Sequence, residues 1–279
     1  SCRAILIKES SSAEISNSIF QNCWGPGELD GLGISCINPK STENVLRVSS
    51  CIFEECGNQR SVVYSENNQI NFINNTIKFE SNADGATGLL VNKICELFVD
   101  ECKFIKCQPS GEEGHQGGGI EYRCPTDDRL EKELITIQNS EFDGCSGEAC
   151  AMSIMPKLAH PSIINVTIAH STTFQYTLKV MITSSPQYST NSNVLFQNIT
   201  FLDMSNTASI CDSGLYFTTT NSDDTLSIID CKFENTINTG YEGLKRGGGI
   251  DFENEACNNY NIIISGCKFI NCQTNKASG

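Results

Sequence analysis

The residues of this 279-residue chain that could carry chemistry are sixteen cysteines, three histidines, paired aspartates and three Asn-x-Thr triplets. The cysteines recur as Cys-x-Phe-x-x-Cys, at Cys51/Cys56, Cys102/Cys107 and Cys267/Cys272. This spacing is not Cys-x-x-Cys, so it suits neither a zinc ribbon nor a thioredoxin-type dithiol. Two uses stay open: disulfides in an oxidising compartment, or buried thiols that fill a core as small hydrophobes. The triplets Asn74-Asn75-Thr76, Asn165-Val166-Thr167 and Asn198-Ile199-Thr200 are N-glycosylation acceptors. Together with the cysteines they point to a eukaryotic secretory origin and an extracellular or cell-surface location.

Carboxylates offer less. A polysaccharide lyase or hydrolase needs Asp or Glu clustered with Lys, Arg or His on one outward strand face. Asp127-Asp128 and Asp223-Asp224 lie in the polar stretches CPTDDRLEKE and TNSDDTLS, which read as solvated loops. His115 and His160 fall in loops, and His170 at a corner of the repeat described below. No carboxylate spacing matches an EF-hand. We therefore expect no catalytic residue, no metal site and no cofactor. The net charge of −14 (19 basic against 33 acidic residues) would repel nucleic acid and an anionic bilayer. No run of about 18 apolar residues is present to insert directly into a membrane.

These residues are positioned by an 11-residue template, apolar-x-apolar-x-x-(Cys/Ser)-x-Phe-x-x-Cys, read nine times from Ala13, Leu46, Ile70, Leu97, Ile135, Val166, Val194, Leu226 and Ile262. Its eighth position holds Phe20, Phe53, Ile77, Phe104, Phe142, Thr173, Phe201, Phe233 and Phe269, about 31 residues apart on average. That is a solenoid period. A second series alternates with it, often after glycines: Ile5, Ile34, Val62, Leu89, Ile120, Met152, Val180, Leu215 and Ile250. It has the same period.

Template positions 1 and 3 form one inward strand face, and positions 6 and 8 another. The three-residue step between them marks a corner. Position 5 is polar almost throughout: Asn17, Ser50, Asn74, Glu101, Asn139, His170, Asn198, Asp230 and Gly266. Such residues tolerate bends. The acceptors Asn74 and Asn198 fall on this corner, where a glycan would point outward.

Each coil then offers three short strands, and the expected fold is an all-β, right-handed, single-stranded parallel β-helix of about nine coils. It would be one repeat domain over residues 1–279, a rod about 43 Å long at a strand spacing of about 4.8 Å. Length varies mainly in the loop between template and glycine strand, long at Gln108–Gln116 and Asn238–Arg246 and short at Gly57–Arg60. Equal positions in adjacent coils lie within disulfide range. Cys23–Cys56, Cys107–Cys145 and Cys231–Cys267 are candidate bridges, and same-coil bridges compete with them for shared cysteines.

The elements Phe20-Gln-Asn-Cys23, Phe104-Ile-Lys-Cys107 and Phe269-Ile-Asn-Cys272, with Gly117-Gly118-Gly119-Ile120 and Gly247-Gly248-Gly249-Ile250, resemble the repeats of the chlamydial-type polymorphic outer-membrane proteins. Those carry Phe-x-x-Asn and Gly-Gly-Ala-Ile/Leu/Val, so Cys stands here for Asn and Gly for Ala. The resemblance spans the chain but is strict in few coils, and the glycosylation acceptors favour its protist branch. It implies a secreted or surface β-helix with adhesive roles and no cofactor.

The array starts and stops in mid-coil without a polar cap, and no leader or initiator Met precedes Ser1-Cys2-Arg3. We therefore expect a segment of a longer chain, or copies stacking end to end. The leading expectation is a structural or adhesive surface protein that meets host or matrix glycoproteins. A filament subunit comes second, and a polysaccharide-acting enzyme third.

Overall fold

The computed structural model describes residues 4–8, 12–23, 32–37, 44–57, 61–80, 86–92, 96–109, 117–124, 133–156, 159–182, 192–206, 214–219, 224–238, 248–254 and 261–274. These residues form short strands and no helix. The strands stack in three parallel sheets of twelve, nine and nine strands, which we call A, B and C. Sheet A collects the glycine strands, sheet B template positions 1–4, and sheet C positions 7–9. In coil 4, for example, Thr87–Asn92 lies in A, Glu96–Asp100 in B and Lys103–Ile105 in C. The fold is a three-sided parallel β-helix of nine coils, and the crossover rule gives it the right-handed sense.

Alternation sets the inward faces. Leu97 and Val99 are buried, while Glu96, Phe98 and Asp100 between them are half-exposed. In register, Leu97 pairs with Ile70 on one side and Ile135 on the other. Phe104 likewise pairs with Ile77 and Phe142. Equal template positions thus form columns, and the buried residues join into one continuous core from Phe20 to Phe233. Phenylalanines stack along the position-8 column, with centroids 4.7 Å apart at Phe20–Phe53, 4.8 Å at Phe104–Phe142 and 4.6 Å at Phe201–Phe233. Where Ile77 interrupts the column, Phe72 from position 3 fills the gap, 6.5 Å from Phe53 and 6.2 Å from Phe104.

Each coil turns sharply through single left-handed residues. Position 5 is left-handed in all nine coils, at Asn17, Ser50, Asn74, Glu101, Asn139, Asn165, Asn198, Asp230 and Gly266, with φ between 49° and 67°. Asn, Asp and Gly bear this conformation at least cost. A second left-handed corner, not expected from the sequence, lies at position 10: Asn22, Glu55, Lys106, Gly144, His170, Asp203, Asn235 and Asn271.

Coil 6 corrects the template register. Ile163 pairs with Ile137 and with Phe196, and Ile168 pairs with Phe142 and Phe201. Its template therefore starts at Pro161, not Val166. Ile168, not Thr173, is its anchor, and Asn165, not His170, is its first corner. Val166 and Ile168 alternate like a position 1 and 3 pair, which is why the reading slipped by five residues. Thr172–Ile182 instead belongs to sheet A. Two members of the glycine series also shift: Ile34 pairs with Val63 rather than Val62, and Met152 with Leu178 rather than Val180. In Ser61–Glu66 five successive residues are buried, so alternation cannot fix the register there.

Most of the loops of variable length, including 110–116, 239–247 and the Asp127-Asp128 stretch, lie outside the described residues.

Candidate functional site

The first corner brings all three glycosylation acceptors into one column. Asn74, Asn165 and Asn198 share the left-handed conformation, with φ of 53°, 55° and 53°. Their backbone N–H groups continue the coil-to-coil ladder, Asn165 to the Gln197 carbonyl at 2.9 Å and Asn198 to that of Ile229 at 3.0 Å. Their side chains form a second ladder outside it. Asn198 Nδ2 donates to Asn165 Oδ1 at 3.1 Å, Asn165 Nδ2 to Asn139 Oδ1 at 3.0 Å, and Asn139 Nδ2 to Asp100 Oδ1 at 2.8 Å. Asn74 Nδ2 donates to Ser50 Oγ at 3.2 Å.

Each triplet places its Asn at the corner, its middle residue in the core and its Thr on the outward face of sheet C. Asn75, Val166 and Ile199 are buried, while Thr167 is exposed and Thr76 and Thr200 are half-exposed. Each Asn uses one Nδ2–H in the ladder. A sugar attached at Nδ2 leaves one N–H, so ladder and glycan are compatible. Beside this corner runs a wide, shallow groove lined by Glu101, Lys103, Asn139, Glu141, Asn165 and Thr167. Lys103 Nζ and Glu141 Oε2 pair at 3.0 Å along it.

The second corner carries a mixed ladder. His170 Nδ1 lies 2.7 Å from Asp143 Oδ1, and its Nε2 lies 3.7 Å from Asp203 Oδ2. Asn235 Nδ2 donates to Asp203 Oδ1 at 2.7 Å, and Asn271 Nδ2 to Asn235 Oδ1 at 3.0 Å. The Asp143 hydrogen bond raises the His170 pKa above 6.5; slight burial opposes the rise, and the charges of Asp143 and Asp203 add to it.

Most of the described cysteines line the interior at the two corners, while Cys36 and Cys150 lie in sheet A strands and Cys124 just after one. Twelve lie among the described residues, all as thiols, nine of them buried. At positions 6 and 11 the thiol reaches the carbonyl two residues earlier, adding a second contact to an oxygen that already accepts an N–H from the adjacent coil. Cys102 Sγ lies 3.1 Å from the Asp100 oxygen and Cys56 Sγ 3.4 Å from that of Glu54. Serine does the same at Ser140 and Ser171, at 2.7 Å and 2.9 Å. This explains why Cys and Ser interchange in the template. Burial pushes the thiols up, Cys102 and Cys150 to about 12 and Cys231 to about 11, so they stay protonated and unreactive at neutral pH.

Cys23 with Cys56, Cys107 with Cys145 and Cys231 with Cys267 stand as contacting thiol pairs in adjacent coils. Same-coil pairs such as Cys102 and Cys107 sit at opposite ends of a sheet C strand, five residues or roughly 13–16 Å apart, beyond disulfide reach.

Sheet A has charged groups on its outer face, yet several are covered. Glu121 and Lys179 are 0% and 7% exposed. Glu121 pairs with Arg123, and Lys179 Nζ lies 3.3 Å from Glu148 Oε1 and 5.1 Å above the Tyr176 ring. That ring stacks on Tyr216 at 4.2 Å. Inside the solenoid, Tyr122 Oη donates to Glu133 Oε1 at 2.8 Å.

Two sequence expectations about titratable groups change. Asp224 is not solvated: it is 1% exposed, bonds Thr219 Oγ1 and accepts the Ser192 N–H at 2.8 Å. His160 lies in the strand Ala159–Ile164 rather than a loop, and its Nδ1 accepts the Asn193 N–H at 2.9 Å. His115, Asp127, Asp128 and Asp223 fall outside the described residues. Among the described residues no group of three or more His, Cys, Asp or Glu is placed to hold a metal ion.

No family model, no curated protein and no solved structure matches this chain.

Proposed function

We propose that this chain is a non-catalytic structural or adhesive repeat protein of the cell surface or extracellular space, a rod that presents glycans and loops to host or matrix glycoproteins. The observation that carries the reading is the first corner. All three acceptor triplets occupy one column, with Asn at the bend and Thr outward, so each glycan would leave the rod on the same edge without disturbing the core. The left-handed bend by itself favours Asn, as at Asn17 and Asn139, so what marks these three coils is the Thr two residues on, turned outward on sheet C. The resemblance to polymorphic outer-membrane protein repeats supports the same reading.

Secretion from a eukaryotic host tests it. Peptide mass spectrometry should find N-glycans at Asn74, Asn165 and Asn198, and glycosidase treatment should increase gel mobility. Three unmodified asparagines in the secreted protein would overturn the reading.

A further inference from the structure

We infer that the outward face of sheet B over coils 5 to 9 is a docking surface for a neutral polysaccharide, an inference that rests on the adhesive reading and names its partner. The face is built by the strands Glu133–Gln138, Ala159–Ile164, Asn193–Gln197, Thr225–Ile229 and Asn261–Ser265. Each strand turns three side chains outward, so the face has fifteen positions. None is Asp, Glu, Lys or Arg.

This absence is local. A soluble surface carries about a quarter to a third charged residues, which predicts about four or five among fifteen. The same sheet over coils 1 to 4 presents Glu14, Arg47, Glu96 and Asp100. Sheet C over coils 5 to 9 presents Glu141, Asp143, Lys232, Glu234 and Lys268. One side of a chain with net charge −14 has thus been cleared of charge over five successive coils.

What remains is regular. Every one of the five strands presents one aliphatic side chain, in order Leu134, Ile164, Leu195, Ile229 and Ile263. Its two outward neighbours are Ser, Thr, Asn, Gln or, once, His160. Leu134 and Ile263 are 52% and 44% exposed. Strand spacing repeats this unit about every 4.8 Å.

Charge and composition select the partner. A polyanion or nucleic acid is held by Lys and Arg, and this face has neither. Cores of protein interfaces are depleted in Lys, Glu and Asp, as this face is, but they are enriched in Tyr, Trp, Phe, Met and Arg, and the fifteen positions hold none of these. A neutral sugar chain offers hydroxyls and C–H patches but no charge. A charged side chain buried beneath it would lose its water without gaining an ion partner, at a cost of several kcal/mol. Amides and hydroxyls both donate and accept, and the aliphatics cover the C–H patches.

Co-sedimentation of the purified protein with insoluble cellulose and β-1,3-glucan, with immobilised polygalacturonate as the acidic control, tests the inference. Retention on at least one neutral matrix, unchanged by added salt, is expected, with none on polygalacturonate. Gln197→Glu and Ser227→Asp should each cut retention about tenfold or more, while Lys232→Glu on sheet C leaves it unchanged. All three sites are solvent-facing, and circular dichroism checks that the fold persists. No retention on either neutral matrix, or retention indifferent to the face variants, overturns the inference. So does self-association, or capture of a protein partner, that the same variants abolish. If glycans are found at the three asparagines but the neutral matrices do not bind, this inference falls and the adhesive reading stands. Retention on cellulose by a chain without glycans reverses that outcome.

Discussion

The ring of Phe142 occupies the space that a Cβ on Gly119 would need. That atom would stand 2.4 Å from Phe142 Cδ1 and 2.7 Å from the Ala151 carbonyl oxygen. The relationship repeats within other coils: Gly88 meets Phe104 at 2.7 Å, Gly33 meets Phe53 at 3.0 Å, and Gly249 meets Phe269 at 3.1 Å. The glycine and phenylalanine series therefore share one period because they are two halves of one contact. Glycine lets the sheet A strand come close enough for the ring from sheet C to lie flat against it.

Gly119→Ala should destabilise the protein by about 1–3 kcal/mol through overpacking. Shortening the ring by Phe142→Leu should return at least about 1 kcal/mol of that loss in the double variant. Urea denaturation of the two single variants and the double closes the cycle. Strict additivity would show that the glycine is needed for some other reason.

What could be seen from sequence was what repeats in residue type. The phenylalanine column, the glycine column and the polar bend at position 5 each leave a chemical signature, and the parallel coils followed from their shared spacing. The second corner left none, because Asn22, Glu55, Lys106, His170 and Asp203 share a backbone angle but no chemistry. Coil 6 was misread because Pro161 stands where an aliphatic belongs. Asp224 looked solvated because its partners, Thr219 and Ser192, are set by folding rather than by neighbouring sequence. The uncharged face was hidden for a different reason: its fifteen residues are spread over more than 130 positions, and only the register of five strands brings them together.

Asn75 should be among the least replaceable interior residues. It takes position 6 between Cys51 and Cys102 in the neighbouring coils. Its Oδ1 accepts the Cys51 N–H at 2.9 Å, its Nδ2 donates to the Val48 carbonyl at 2.8 Å, and its own N–H meets Cys102 Sγ at 3.5 Å. Asn75→Ala leaves the buried Cys51 N–H unsatisfied and removes the bond to the Val48 carbonyl, for an expected loss of about 1–3 kcal/mol. Asn75→Ala also removes no glycosylation, because the acceptor is Asn74. A melting temperature within 2 °C or so of the parent, when a loss this large should move it by several degrees, would contradict the assignment.

His170 should make stability depend on pH. Its folded-state pKa lies above the unfolded value of 6.5, chiefly through the Asp143 hydrogen bond. Its protonated form therefore favours the fold. The stabilisation is fully present below the unfolded pKa and is lost as pH rises through the folded one. The side chain is largely exposed, so the effect is small and screened by salt. The difference in melting temperature between parent and His170→Gln should be greatest below the unfolded pKa of 6.5 and should shrink as pH rises through the folded one. A constant difference across that range would place the role of His170 in packing alone.

The cysteines separate into two behaviours. Cys102 has no cysteine at position 6 in the adjoining coils, where Asn75 and Ser140 stand. Its thiol lies 3.1 Å from the Asp100 carbonyl and 3.3 Å from that of Phe72, and the Ser140 hydroxyl accepts its N–H at 3.2 Å. Cys102→Ser keeps a donor and should change stability by less than about 1 kcal/mol. Cys102→Ala leaves the buried Asn75 N–H without its acceptor, while the Asp100 carbonyl keeps the Asn74 N–H, and should cost about 1–3 kcal/mol. In the native state Cys102 and Cys150, pushed up to about 12, should resist alkylation at pH 8 and react only after unfolding. Cys23–Cys56, Cys107–Cys145 and Cys231–Cys267 are in contact across coils, so disulfides formed on secretion among the described cysteines should join these pairs. Peptide mapping without reductant decides the matter. A Cys102–Cys107 or Cys267–Cys272 bridge would require a coil to open, because the strand between each pair holds them at opposite ends.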